Sequence, residues 1–366
     1  MFIYKSKKSC LLLMIFTLII ISSCFTIPKK TIIKKKKTIN SSSITITAMG
    51  DLALNFMMMK ETLKKIAKQK GWDYAYNYPF SLIKNEFKGI IFGNLEAPIT
   101  IYPVTSYGDK NEIFYFKADP GTEKILKMAG FNLITLANNH MMDCTIKGMF
   151  NTKQNLEDIE IKTAGIGNNL QKALQPVILQ RKGLKIAVFA FNKSYPLSVW
   201  AKVNKPGTAG ASDSVLVEAV RQGRALADII IVSIHWGKEK KTDYPIDLPS
   251  PYQKQLAKRF IDNGASALFG HHSHAVGKVE TYKNGIIFYS LGDTIFSGRH
   301  SSHHKHSYFA RVKLSTRGLS SFSIIPINID PRKNRYRPWI LDKQKGMKMI
   351  KEVLSKKDPR FINYYK

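Results

Sequence analysis

The stretch GASALFGHHSH, residues 264–274, runs from a short apolar segment into His271, His272 and His274, three of the nine histidines in 366 residues. Imidazoles packed this closely are ligands for a divalent metal or carriers of protons. Four other apolar segments end in side chains of matching chemistry. ITITAMG runs into Asp51, GIIFGN reaches Asn94 and Glu96, LITLA leads into Asn138, Asn139 and His140, and IIIVSI stops at His235. Carboxylate, asparagine carbonyl and imidazole make a mixed oxygen and nitrogen set that suits one or two ions of Mn, Zn or Fe; thiolates are missing from it, which argues against a structural zinc site. Such an ion acts as a Lewis acid on a carbonyl or phosphoryl oxygen and lowers the pKa of water to about 7, so hydrolysis is the implied reaction class.

Each of these residues has a plainer reading by itself. Asp51 could cap a following helix, Glu96 before Pro98 could be a turn residue, and His235 could be a satisfied core histidine. The Asn138-Asn139-His140 run could be a turn in which asparagine tolerates left-handed geometry. Their shared position at the ends of successive apolar segments outweighs those separate accounts. In an open α/β sheet the ligand crevice lies outside the carboxyl ends of the strands, so residues scattered along the chain can converge there.

The elements that must do this positioning follow from periodicity. ITITAMG, GIIFGN, NLITLAN, KIAVFAF, DIIIVSI, SALFG and GIIFYSL are short, apolar and rich in β-branched residues, whereas MMMKETLKKIAKQK, TEKILKMAG, VLVEAVRQGRALA and SPYQKQLAKRFIDNG carry helical spacing. The fold class is α/β, and near-continuous apolar strands predict a sheet covered on both faces in its parallel part. SYFARVKLS and SFSIIPINI predict a closing antiparallel pair, and the basic tail from Pro331 predicts one more helix. AGIGNNLQKA has Gly165 and Gly167 but no glycine at 170, so it reads as a turn into a short helix rather than a dinucleotide fingerprint. His300, His303, His304 and His306 lie among small polar residues and read as a loop near the cleft rather than a second metal trap.

Four segments divide the chain. Residues 1–23, with Lys5, Lys7 and Lys8 before LLLMIFTLIIIS, read as a secretory signal, because the apolar core is short for a membrane-spanning helix of about 20 residues. Ile21-Ser22-Ser23-Cys24 resembles the lipobox of bacterial lipoproteins, which makes Cys24 the expected lipidation site and the cell membrane, on its outer side, the expected location. A Lys-rich tether covers 24–43, the main domain 44–330, and a basic extension 331–366. Cys10 would leave with the signal, and Cys144 then has no cysteine to pair with, so no disulfide framework is expected. Lys and Arg total 57 against 26 Asp and Glu, a net charge of +31. The resulting field favours polyanions. A secreted lipoprotein does not ordinarily meet nucleic acid, so an anionic envelope polymer such as polyglutamate, teichoic acid or a phosphorylated glycan is the expected partner.

GD at 50–51, GNLEAPIT at 93–100, LANNHMMD at 136–143, IHWGKE at 234–239, GHHSHAVGKVE at 270–280 and YSLGDTIF at 289–296 together resemble the CapA family, the bacterial capsule and poly-γ-glutamate synthesis proteins. The resemblance covers residues 44–297. It implies a calcineurin-like metallophosphatase fold, a β-sandwich flanked by helices, and a surface role in making, exporting or trimming an anionic polymer beside other capsule synthesis membrane proteins. It further implies metal ligation by Asp51, Glu96, Asn139, His235, His272 and His274, with Asn94 and His271 as supporting or alternative ligands. His140 would protonate or orient the leaving group, Asp143 would orient His140, and Glu239 is a candidate acid or substrate contact. Two positions depart from the pattern: Ala53 stands where a metallophosphatase usually has histidine, which puts a full two-metal site in doubt, and Asp293 stands where the family has asparagine. Two readings of function remain: a metal-dependent hydrolase or transferase of an envelope polymer, and a non-catalytic component that binds the polymer for export.

Overall fold

The computed structural model describes residues 42–54, 57–105, 115–239, 246–296 and 305–366. The N-terminal signal, Cys24, nearly all of the tether, and His300, His303 and His304 lie outside them. Among the described residues, no helix is long and apolar enough to cross a membrane.

Two sheets form the body. The first has eight strands, ordered Trp339–Ile340, Gly318–Asn328, His306–Ser315, Ser43–Ala53, Ile90–Leu95, Leu133–Thr135 and Lys162–Ala164, with Asp293–Phe296 also paired to Ser43–Ala53. The second has six, ordered Val279–Tyr282, Gly285–Phe288, Ala267–His271, Ile229–His235, Leu184–Asn192 and Val177–Arg181. Strands from the predicted apolar runs pair in parallel in both sheets. The predicted closing pair, His306–Ser315 with Gly318–Asn328, is antiparallel.

Apolar side chains from the two sheets meet face to face. Phe92 of the first packs edge-on against Phe269 of the second, ring centroids 5.2 Å apart, within a core that takes Ile46 and Ala48 from one sheet and Val188 and Val232 from the other. Outside the second sheet lie the helices Asp213–Gly223 and Pro251–Asp262, the latter stacking Phe260 on Phe191 at 5.7 Å. That helix starts as its sequence directs: Ser250 and Gln253 form a capping box, with Pro251 in the first turn. Helices Met57–Lys70, Lys124–Ala129 and Thr145–Asp158 cover the first sheet through Leu63, Ile125, Leu126 and Leu156. A sandwich of two sheets flanked by helices results, because strands apolar on both faces need a cover on each.

The basic tail adds Trp339–Ile340 to the first sheet, and its helix, Lys343–Val353, buries Met349, Ile350 and Val353 in the same core. AGIGNNLQKA does turn into a short helix, Leu170–Ala173, capped by the Asn169 side chain.

Candidate metal centre

Every strand that the sequence marked with a polar terminus ends on one side of the sandwich. Asp51 lies near the end of Ser43–Ala53, where its Cα pairs with Asn94 on one neighbour and Asp293 on the other. Gly50 permits this: a Cβ there would sit 1.9 Å from the Gly292 carbonyl oxygen, so any other residue would force the two strands apart. Glu96 follows the strand Ile90–Leu95, and its backbone N–H donates to the Leu52 carbonyl at 2.8 Å. Asn139 and His140 follow Leu133–Thr135, while His235 and His271 close the adjacent parallel strands Ile229–His235 and Ala267–His271.

The turn after His271 is bent by its backbone. His272 and His274 have φ of 91° and 57°, left-handed values that side-chain-bearing residues adopt at a cost of about 1 kcal/mol or more. Both imidazoles are thereby folded back over the strand ends. The His272 N–H donates to Asp51 Oδ2 at 2.9 Å, and Ser273 donates to Ser290 at 3.0 Å, which ties this turn to the one carrying Asp293.

Two groups of ligand atoms result, each within 4.8 Å: Glu96 with His235 and His272, and Asp51 with His274 and Asp293. Asn139 Oδ1 joins the first group, 2.9 Å from His235 Nε2. Glu96 stands between the groups, with Oε1 3.5 Å from His235 Nε2 and 3.7 Å from His274 Nε2. Asn94 donates to Asp51 Oδ1 at 2.8 Å and accepts from Asn138 at 3.1 Å, so it supports the acids rather than competing with them. All of these side chains are buried.

The electrostatics favour a cation. Burial opposes ionisation of Asp51, but the close approach of the His271 imidazole outweighs it and holds the carboxyl well below the usual range. Burial, then the proximity of His272, pushes His235 well below the ordinary imidazole value. Burial and the neighbouring His274 lower His272 to about 4, against opposing attraction from Glu239 and Asp51. His235 and His272 are therefore neutral near pH 7 and present lone pairs. Nδ1 of His272 and both ring nitrogens of His271 are buried and make no well-aligned hydrogen bond, a state that native interiors rarely leave unexplained. Donor set and buried nitrogens together fit a divalent ion.

Beside these groups lies a pair with other work. His140 Nδ1 is 2.8 Å from Asp143 Oδ2, which also accepts the Phe116 N–H at 2.7 Å, and the Phe116 ring packs on the imidazole with centroids 4.1 Å apart. With Nδ1 held by a carboxylate, His140 presents Nε2 toward the centre, 4.0 Å from Glu96 Oε1.

Residues 45–298 match the family described as bacterial capsule synthesis protein PGA_cap. The chain belongs to that family. Among curated PGA_cap-like relatives, the capsule biosynthesis protein CapA of Bacillus anthracis is 28% identical over 97% of this chain and 85% of its own length. The PGA biosynthesis protein CapA of Bacillus subtilis strain 168 is 29% identical over 81% of this chain and 74% of its own. Solved structures with a similar course include a phosphatase from Mycoplasma pneumoniae, 15% identical with a TM-score of 0.46 over 80% of this chain and 96% of that one. A 5′-nucleotidase precursor from Thermus thermophilus is 10% identical with a TM-score of 0.45, covering 85% of this chain and 57% of that one.

Within this PGA_cap chain the structure brings Asp51, Glu96, Asn139, His235, His272 and His274 together, with Asn94 and His271 against Asp51. Glu239 is exposed, and its charge is felt by His272. Ala53 packs with Ala97, Phe116 and Phe296 in a small apolar cluster and offers nothing to a metal. Asp293 is the residue whose role the sequence left open; its signal was an acid standing where the family pattern has asparagine. His306 is exposed at the start of its strand.

Proposed function

We propose that this PGA_cap protein carries out metal-dependent hydrolysis or transfer at an amide or phosphoester bond of an anionic envelope polymer, from a position anchored to the membrane by acylated Cys24. One observation carries the reading: six ligand-type side chains converge, buried, at the carboxyl ends of parallel strands, next to a His140–Asp143 pair that stands outside both ligand groups.

Asp51, Glu96, Asn139, His235, His272 and His274 would hold the ion or ions. A bound divalent cation supplies Lewis acidity and eases deprotonation of water near neutral pH. The chain's own contribution is positional and acid–base. Asp143 stabilises a protonated His140 through Nδ1, so that Nε2 can donate a proton to a leaving amine or alkoxide. Phe116 fixes the ring plane and excludes water from one of its faces. The excess of Lys and Arg attracts a polyanion to the surface.

The test separates turnover from binding. Full-length wild type and His140→Asn are compared for metal content, for cleavage of γ-glutamyl polymers and phosphodiesters, and for restoring polymer to a deletion strain. The expected outcome is metal retained with turnover and polymer phenotype lost. Normal polymer production by His140→Asn at wild-type protein level would instead favour the non-catalytic export component. In parallel, Cys24→Ser should release the protein from the membrane, and an unmodified Cys24 by mass spectrometry would remove the lipoprotein reading.

A further inference from the structure

We infer that Asp293 is a direct ligand in a second cation position, formed with Asp51 and His274, beside the position framed by Glu96, His235 and His272. This rests on the metal reading above and adds a residue to it.

Three observations carry the inference. Asp51 and Asp293 are Cα partners on parallel strands, both essentially inaccessible at 0% and 3% exposure, so two carboxylates share one buried site. Like charges placed this way are unfavourable unless a cation or a shared proton relieves them, and a divalent cation does so with both acids ionised. Among the described residues the basic side chains against them are imidazoles alone: His271 and His274 on Asp51, and His274 on Asp293. Secondly, the atoms of Asp51, His274 and Asp293 gather within 4.8 Å, a set separate from the Glu96 group, yet His274 Nε2 reaches Glu96 Oε1 at 3.7 Å. Glu96 therefore stands between two adjacent ligand groups, and sites with two ions hold them about 3.5–4 Å apart. Thirdly, His271 is buried with both ring nitrogens outside any well-aligned hydrogen bond and Nδ1 3.3 Å from Asp51 Oδ1, so an additional donor points at this same position.

A narrower role exists for Asp293. Its Oδ1 lies 2.8 Å from His274 Nδ1, and a carboxylate that only orients a metal-bound imidazole would do the same. Asparagine separates the two, since its carbonyl still accepts from Nδ1–H but lacks the charge that a second ion requires.

Full-length protein is stripped with chelator and titrated with Mn(II), with ion count by elemental analysis after desalting, affinity by calorimetry, and spin coupling by electron paramagnetic resonance. Wild type is expected to hold two ions in a coupled pair, Asp293→Ala one uncoupled ion, and Asp293→Asn a second ion weakened by more than about 100-fold, beyond the roughly 10–100-fold that losing only the partner of a metal-bound imidazole costs. Thermal melts establish that each variant is folded, and Asp293→Asn gives the answer should the alanine variant fail to fold. Wild type with a single ion, or Asp293→Asn with a second ion weakened by about 100-fold or less, overturns the inference. Wild type with no ion overturns the metal reading itself, a separate and recognisable failure.

Discussion

The strand Ser43–Ala53 passes through two kinds of interior. At Ile46 and Ala48 it faces the core between the sheets, where phenyl rings and aliphatic side chains fill space; at Asp51 it enters a region just as buried that is filled with carboxylates and imidazoles. The first region is stable by itself, because burying apolar surface contributes about 25 cal/mol per Å² and leaves no polar group to satisfy. The second persists only because its members compensate one another, and it carries left-handed backbone at His272 and His274 besides. Substitutions in the first should therefore act on stability, and those in the second on ion binding, chemistry and pH response.

The largest expected effect tests the polar region. His235→Asn should lose metal and function together, since Nε2 faces both Asn139 and Glu96. His140→Asn should keep the ions while turnover falls by about 10²–10⁴-fold. Elemental analysis beside rate measurements checks both, and equal loss of metal in the two variants would erase the distinction drawn between ligand and proton donor.

Next comes the apolar region. Phe92→Ala removes the ring that meets Phe269 and should cost about 3–5 kcal/mol in denaturant unfolding. The molecules still folded should bind Mn(II) normally. Weaker ion binding at full occupancy of the fold would mean that the two interiors are coupled.

A smaller effect should appear with pH in the metal-free protein. His272 binds its proton near pH 4 when folded and about 6.5 when unfolded, so the unfolded state takes up more protons in that window and stability falls as pH drops through it. The full loss is about 3 kcal/mol, reached below the lower limit and absent above the upper one. Denaturant midpoints across this range should show the loss, and His272→Asn should flatten it; an unchanged profile would show that His272 is not the group responsible. Smallest of all, Ser250→Ala removes a helix cap on the outer layer and should cost about 1 kcal/mol without changing ion count.

Much of this was legible before folding. Helix Met57–Lys70 and the strands Ile229–His235 and Ala267–His271 coincide with runs whose periodicity or unbroken apolarity is a local property. The helix Thr145–Asp158 was not marked, because Gly148, Asn151 and Asn155 interrupt its apolar face; it exists through tertiary contacts, such as Thr152 receiving the Ile99 N–H and Met149 and Leu156 packing in the core. The strand Asp293–Phe296 is four residues long, too short for alternation to declare it, and its pairing with Asp51 depends on Gly50 and Gly292 approaching closely.

The sequence by itself determined which residue types stand at the ends of which apolar segments, since a strand with both faces buried must be apolar throughout and its first polar residue marks where the sheet stops. Only the tertiary structure decided how those residues divide. It placed His272 with Glu96 and His235, and His274 with Asp51 and Asp293; it turned Ala53 into an apolar cluster and brought Asp293 from a distant strand against Asp51. The physical reason is that ligand grouping depends on strand register and on the left-handed turn after His271, and both are set by contacts between segments far apart in the chain.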